Sequence, residues 1–127
     1  MTRDAVSTGS APAAIGPYSQ AIATDGFLFC SGQIGLDPLS GDLVEGLEAQ
    51  TERALKNVSA ILDAAGLTMA DAVKTTIFLT DMNAFSTVNA IYATHVVDPP
   101  PARSTVAVSA LPKGAEIEIE VIARRRG

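Results

Sequence analysis

Two stretches near the C-terminus hold residue types that can act together on an acidic substrate. The first is Pro99-Pro100-Pro101-Ala102-Arg103-Ser104-Thr105-Val106. Prolines fix φ and donate no hydrogen bond, so this run is a stiff, extended approach. Thr105, Val106 and Val108 then favour a strand. Arg103 is thereby delivered to the start of that strand. A guanidinium held there can grip a carboxylate with two parallel hydrogen bonds; the plainer alternative is an arginine exposed at a strand end. The second stretch is Glu116-Ile117-Glu118-Ile119-Glu120-Val121-Ile122. Period two puts Ile117, Ile119 and Val121 on one face and the three glutamates on the other. One glutamate turned into a pocket would serve as a general base for water. A fully solvated glutamate face would instead discourage edge-to-edge pairing. Spacing does not choose among Glu116, Glu118 and Glu120. The two strands read as hairpin partners, which would set the arginine and a glutamate before one cavity.

The elements that must position these residues follow from periodicity and turn chemistry. Residues 1 to 17 read as a loop, with a short strand near Ala5 to Ser7. Strands are expected at Gln20 to Thr24 and Phe27 to Ser31, joined by the hairpin signal Asp25-Gly26. Leu47, Thr51, Ala54, Leu55, Val58, Ile61, Leu62 and Ala65 recur at three- and four-residue spacing and predict an amphipathic helix. Gly66 stands where a left-handed C-cap belongs, and Thr68-Met69-Ala70-Asp71 resembles a capping box. A strand is expected over Val73 to Leu79. A second helix, capped at Thr80-Asp81, carries Phe85, Val88, Asn89, Tyr92 and Val96 on one face and ends before Pro99. Strands over Arg103 to Ser109 and Ala115 to Ala123 flank a turn at Leu111 to Gly114. The order β-β-α-β-α-β-β implies one α+β domain over residues 1 to 127: a single mixed sheet with two helices packed on one face. The uncovered face is not purely polar, since Phe27 and Phe29 alternate with Leu28 and Cys30. An apolar open face predicts association into a closed homo-oligomer.

Composition removes several function classes. Hydrophobic residues make up 47% and charged residues 18% of the 127, which is globular rather than disordered. The net charge of −5 argues against nucleic acid, whose binders present a basic face. The only basic run, Arg124-Arg125-Arg126, reads as a solvated tail. No apolar run approaches the ~20 residues of a membrane helix. The lack of an apolar leader and the single cysteine fit a cytoplasmic protein. One His and one Cys at unrelated positions do not make a metal site. His95 reads as a surface or capping residue and Cys30 as a buried structural thiol. Ser31-Gly32-Gln33 lacks the G-x-S-x-G frame of a nucleophile elbow.

Several stretches together carry a family resemblance. Ala13-Ala14-Ile15-Gly16-Pro17-Tyr18-Ser19-Gln20-Ala21 resembles the N-terminal motif of the RidA (YjgF) family of reactive intermediate imine deaminases. Ser31-Gly32-Gln33-Ile34, Asn57-Val58, Ala64-Ala65-Gly66-Leu67, Val73 to Leu79, Pro101-Ala102-Arg103-Ser104 and Ile117-Glu118-Ile119-Glu120 match it in unbroken order. The resemblance implies a chorismate-mutase-like fold and a homotrimer whose sheets form a central barrel, with sites in clefts between subunits. It implies hydrolysis of 2-imino acids, the tautomers of enamines such as 2-aminoacrylate, to 2-oxo acids and ammonia without a cofactor. By the same resemblance Arg103 matches the arginine that holds the substrate carboxylate and Glu118 the glutamate that activates water. Tyr18 and Ser31 match pocket residues, and Thr105 a position whose main chain lines the site. Three departures stand out: Thr105 replaces the cysteine of some members, Gly35 stands where proline is common, and Val96 and Val97 replace aromatic residues. Two other functions fit the same residues. A binding module for a 2-oxo or amino acid would keep the arginine without needing Glu118. A ribonuclease or translation inhibitor, an activity ascribed to some members, sits poorly with the charge.

Overall fold

The apolar stripe of the first half folds as its spacing predicts, into helix α1 (Leu47–Ala64). Leu55, Val58, Ile61 and Leu62 are buried against the sheet. The helix ends where glycine permits it. Gly66 has φ +76°, and the Leu67 and Gly66 amides donate to the carbonyls of Leu62 and Asp63, closing the last turn. The next turn is fixed by the expected capping box: Ala70 N donates to Thr68 Oγ1 and Thr68 N to Asp71 Oδ2. These are features of a computed structural model, which describes residues 2–126.

One mixed six-stranded sheet carries two helices on one face. Its strands are β1 (Asp4–Val6), β2 (Ala21–Thr24), β3 (Phe27–Gln33), β4 (Ala72–Leu79), β5 (Ala102–Ala107) and β6 (Ile117–Arg124), in the spatial order β1-β2-β3-β6-β4-β5. The second helix, α2 (Phe85–Ala93), follows a short turn whose Asn83 amide is capped by Asp81. It connects β4 to β5, which pair in parallel. All other pairings are antiparallel.

The strand order corrects the expected hairpin. β6 does not pair with β5; it runs between β3 and β4. The reason is its apolar face. Ile117, Ile119, Val121 and Ala123 are all essentially inaccessible, and a strand buried that deeply belongs at the sheet centre under α1, not at an edge. The connection from β5 crosses the end of β4, where Val108 N donates to Leu79 O and Thr80 N to Glu116 O.

The C-terminal arginines are exposed, as a solvated tail should be, yet each makes one contact with the fold. The Arg124 guanidinium lies 5.0 Å from the Phe27 ring centre. Arg125 Nη2 donates to Ala65 O at the end of α1, where a cation suits the helix dipole. Arg126 Nε meets Asp71 Oδ1 at 2.8 Å. The face away from the helices stays open, with Phe29 and Val106 exposed. Among the described residues no helix is long and apolar enough to cross a membrane.

Candidate active site

Strand register decides what the candidate residues can reach. Thr75 on β4 pairs with Arg103 on β5 and with Val121 on β6. Paired residues share a face, so Arg103 lies on the helix side with the buried Thr75 and Val121. Glu118 pairs with Phe78, whose other partner is Val106. That row has the opposite parity and faces away from the helices. Within one chain, therefore, Arg103 and Glu118 do not share a cavity, and the single-chain clamp implied by a β5–β6 hairpin is excluded by two separate facts: β4 intervenes and the faces differ.

Each residue instead lies in its own hollow, a candidate half-site. Glu118 is half-buried beside Gly32. It lines a cleft of about 430 Å³ with Tyr18, the exposed Lys113 and the apolar residues Pro12, Ile15, Ile34 and Pro112. Burial in this setting, helped by the neighbouring Glu120 charge, holds the Glu118 carboxyl above the ordinary glutamate range. Glu116 and Glu120 are exposed, so the structure separates three glutamates that spacing left equivalent.

The wall of this cleft is built by hydrogen bonds from the N-terminal loop. Buried Gln20 donates through Nε2 to the carbonyls of Thr8, Ala11 and Pro12, and its Oε1 accepts from Thr8 N at 2.7 Å. Tyr18 OH accepts from Ile15 N. Ser31 Oγ donates to Ser19 O at 2.6 Å, fastening β3 to the same loop. On the opposite side, Asn57 holds the strand exit by donating to Ile34 O and Leu36 O.

The second half-site surrounds Arg103, on a surface hollow of about 390 Å³ with Asn89, Tyr92, Val96 and Pro101. Arg103 is exposed and its Nη1 donates to Asn89 Oδ1. Thr105 lies two residues on, on the same face, and its Oγ1 is the one buried side-chain polar atom without a hydrogen-bond partner among the described residues. The structure thus groups Glu118 with Tyr18, near Ser31, and Arg103 with Thr105, but not the two groups with each other.

Some of the machinery escapes a sequence reading. Gly32 allows the Glu118 carboxylate to lie against the β3 backbone; a glycine inside a strand pattern is the signal for such close approach. Gln20 and Asn57 stand in the family-like motifs, but what they hold carries no local signal, because their partners are distant in sequence. His95 Nε2 contacts Glu52 of α1 and takes no part in either half-site. Cys30 is buried, and burial pushes its thiol up to about 12, so it is inert.

The family model described as Endoribonuclease L-PSP matches residues 8–125. The chain belongs to this family. It is 52% identical over 124 residues to a mouse protein named 2-iminobutanoate/2-iminopropanoate deaminase, covering 97% of this chain and 92% of that one. A Rid-family protein of unknown function from Yersinia pestis, YyfA, superposes with a TM-score of 0.93 at 54% identity, covering 97% of this chain and 99% of that one. TdcF of E. coli, solved with bound serine, does so with a TM-score of 0.92 at 41% identity, over 97% and 99% of the two chains. The RidA (YjgF) resemblance carried by the motifs is thus borne out over nearly the whole chain. The family description speaks of RNA, yet the net charge is −5 and the only three-arginine run, though exposed, makes contacts with Phe27, Ala65 and Asp71.

Proposed function

We propose that this protein hydrolyses 2-imino acids, and their enamine tautomers, to 2-oxo acids and ammonia, at sites completed between subunits of a homotrimer. The observation that carries the reading is the half-buried Glu118, with its carboxyl held above the ordinary range, in a largely apolar cleft whose one lining cation is the exposed Lys113, so that no arginine of the same chain reaches it to grip a carboxylate with two hydrogen bonds. The open sheet face with Phe29 and Val106 supplies a surface through which a second copy can bring its Arg103 half-site to that cleft. The names of relatives near 50% identity point to the same substrate class.

In this reading Arg103 binds the substrate carboxylate through a charge-assisted pair of hydrogen bonds. Glu118 accepts a proton from the water that attacks the imine carbon. The tetrahedral carbinolamine that results takes a proton on nitrogen, the C–N bond breaks, and ammonia leaves as the carbonyl forms. General acid–base help of this kind contributes about 10²–10⁴-fold, which suffices for imines because they also hydrolyse unaided. The residues near Glu118 include Tyr18 and Ser31, which shape the wall, and Thr105 flanks the carboxylate grip. None of these steps uses a cofactor or metal.

The test couples the protein to a threonine or serine dehydratase and follows decay of the imine released. Wild-type protein should accelerate decay and release ammonia; Arg103→Ala and Glu118→Gln should not. Binding of 2-oxo acids without acceleration would instead support a regulatory binding module. Shared sites make a further demand. Co-expressed Arg103→Ala and Glu118→Gln chains should regain activity, because about a quarter of the interfaces in random closed rings would pair an intact arginine with an intact glutamate. No recovery would sink the intersubunit site.

A further inference from the structure

Arg103 does not hang free at the sheet edge. Its Nη1 donates to Asn89 Oδ1 at 2.6 Å. Its guanidinium carbon lies 5.1 Å from the centre of the Tyr92 ring and 5.5 Å from that of Phe85. Phe85, Asn89 and Tyr92 sit at four- and three-residue spacing on α2, so they share one helix face. The Tyr92 ring is itself fixed: it is buried, and its hydroxyl shares a 2.7 Å hydrogen bond with Thr75 Oγ1, which is fully buried on β4. Thr75 is the residue that pairs with Arg103 across β4 and β5. The guanidinium is therefore referenced to the core twice, through its own backbone and through the ring beneath it.

What is missing from this cradle is a carboxylate. Among the described residues no acidic side chain pairs with Arg103. A long, exposed arginine has to be ordered before it can grip an anion, and that ordering is unfavourable. A carboxylate would order it but would also cancel its charge and compete with the anion. A carboxamide oxygen takes one of the five guanidinium N–H donors and leaves the charge intact. We propose that Asn89 is a positioning residue for Arg103, and that its neutrality is the property that counts: it fixes the guanidinium while keeping it free to bind a substrate carboxylate. The proposal rests on the reading of Arg103 as the carboxylate grip.

Calorimetric titration with pyruvate, a 2-oxo acid, and with uncharged pyruvamide separates the two ideas. Asn89→Asp, nearly isosteric, should weaken pyruvate about tenfold or more, approaching Arg103→Ala. It should leave pyruvamide binding and the melting temperature unchanged, and raise KM for imino acids more than it lowers kcat. Asn89→Ala should weaken pyruvate only a few-fold, since orientation is lost but charge is not. If Asn89→Asp binds pyruvate as tightly as wild type while Arg103→Ala does not, the positioning role is wrong and the grip stands. If wild-type protein shows no preference for pyruvate over pyruvamide, or Arg103→Ala keeps that preference, the grip itself falls and the role of Asn89 with it.

Discussion

Replacing Gly32 with alanine is expected to remove most of the activity and little of the stability. Gly32 has no left-handed φ, so its backbone accepts alanine without strain. The obstacle is Glu118. A Cβ at Gly32 would stand 2.5 Å from Oε2, 2.7 Å from Cδ and 3.0 Å from Cγ of that side chain. Close carbon–oxygen contacts settle near 3.3 Å, so the carboxylate must retreat by about 0.8 Å. The atoms that move are the end of a flexible side chain, which keeps the cost near the lower end of overpacking, about 1 kcal/mol. For a domain of this size that corresponds to a fall of about 4 °C in Tm. A catalytic group displaced by roughly 1 Å costs about 10²-fold in rate, equivalent to about 2.7 kcal/mol of transition-state stabilisation. The dehydratase-coupled decay of imine measures the first quantity and thermal melting the second. Gly32→Ala protein with activity within threefold of wild type would refute the reasoning, because Glu118 would then not need to stand where it does. A Tm loss above about 10 °C would refute the other half, by showing that Gly32 serves packing rather than placement.

Three further outcomes follow from the same geometry. Glu118 has its carboxyl raised in the folded state by burial and by Glu120. The raised value favours folding below the pKa of the unfolded chain, and that advantage is lost as pH rises through the folded value. Glu118→Gln should therefore be more stable than wild type at pH 7, with the gap closing on acidification below about 4.3; equal or lower stability at pH 7 in urea titrations would contradict this. Gly35→Ala should behave unlike Gly32→Ala, since its Cβ would meet the backbone of α1, 2.6 Å from Gln50 Cα and 2.9 Å from its carbonyl oxygen. Backbone cannot swing aside, so a loss of about 1–3 kcal/mol by chemical denaturation is expected, and a loss below about 0.5 kcal/mol would show that the loop yields. Cys30, with its thiol pushed up to about 12, should resist iodoacetamide at pH 8 in the native protein and react in denaturant; comparable native and denatured rates would contradict the buried, inert thiol.

What the sequence made legible was local. The α1 stripe, the Gly66 cap, the Thr68–Asp71 capping box and the Asp25-Gly26 hairpin each depend on residues a few positions apart, and each forms. Parallel pairing across α2 was also implied by a helical crossover, and β4 and β5 pair that way. The place of β6 was not legible, because insertion between β3 and β4 is a matter of long-range burial. Alternating glutamates made the strand look like a solvated edge, while the opposite face, Ile117, Ile119 and Val121, reveals its depth only when α1 lies over it. The contacts of the exposed arginine tail were not legible for the same reason: Phe27, Ala65 and Asp71 lie far from it in the chain. The relation between Arg103 and Glu118 turned on that one misplaced strand. With β5 and β6 adjacent they would meet; with β4 between them and parity reversed they cannot.

That separation has a chemical consequence. An arginine beside Glu118 in the same chain would hold its carboxyl low and spend its own donors on it. The folded chain has neither effect: the Glu118 carboxyl is raised, and the Arg103 guanidinium is steadied by a neutral amide and two rings. Strand parity, fixed by the pleat, keeps a weakly acidic base and an uncancelled cation on opposite faces of one sheet. Under the proposed function, a partner subunit would offer its own cation to the cleft, where a substrate carboxylate would occupy the guanidinium and leave Glu118 free to take a proton from water. In the proposed assembly, association supplies the encounter that folding withholds, and the substrate is what keeps the two charges from neutralising each other.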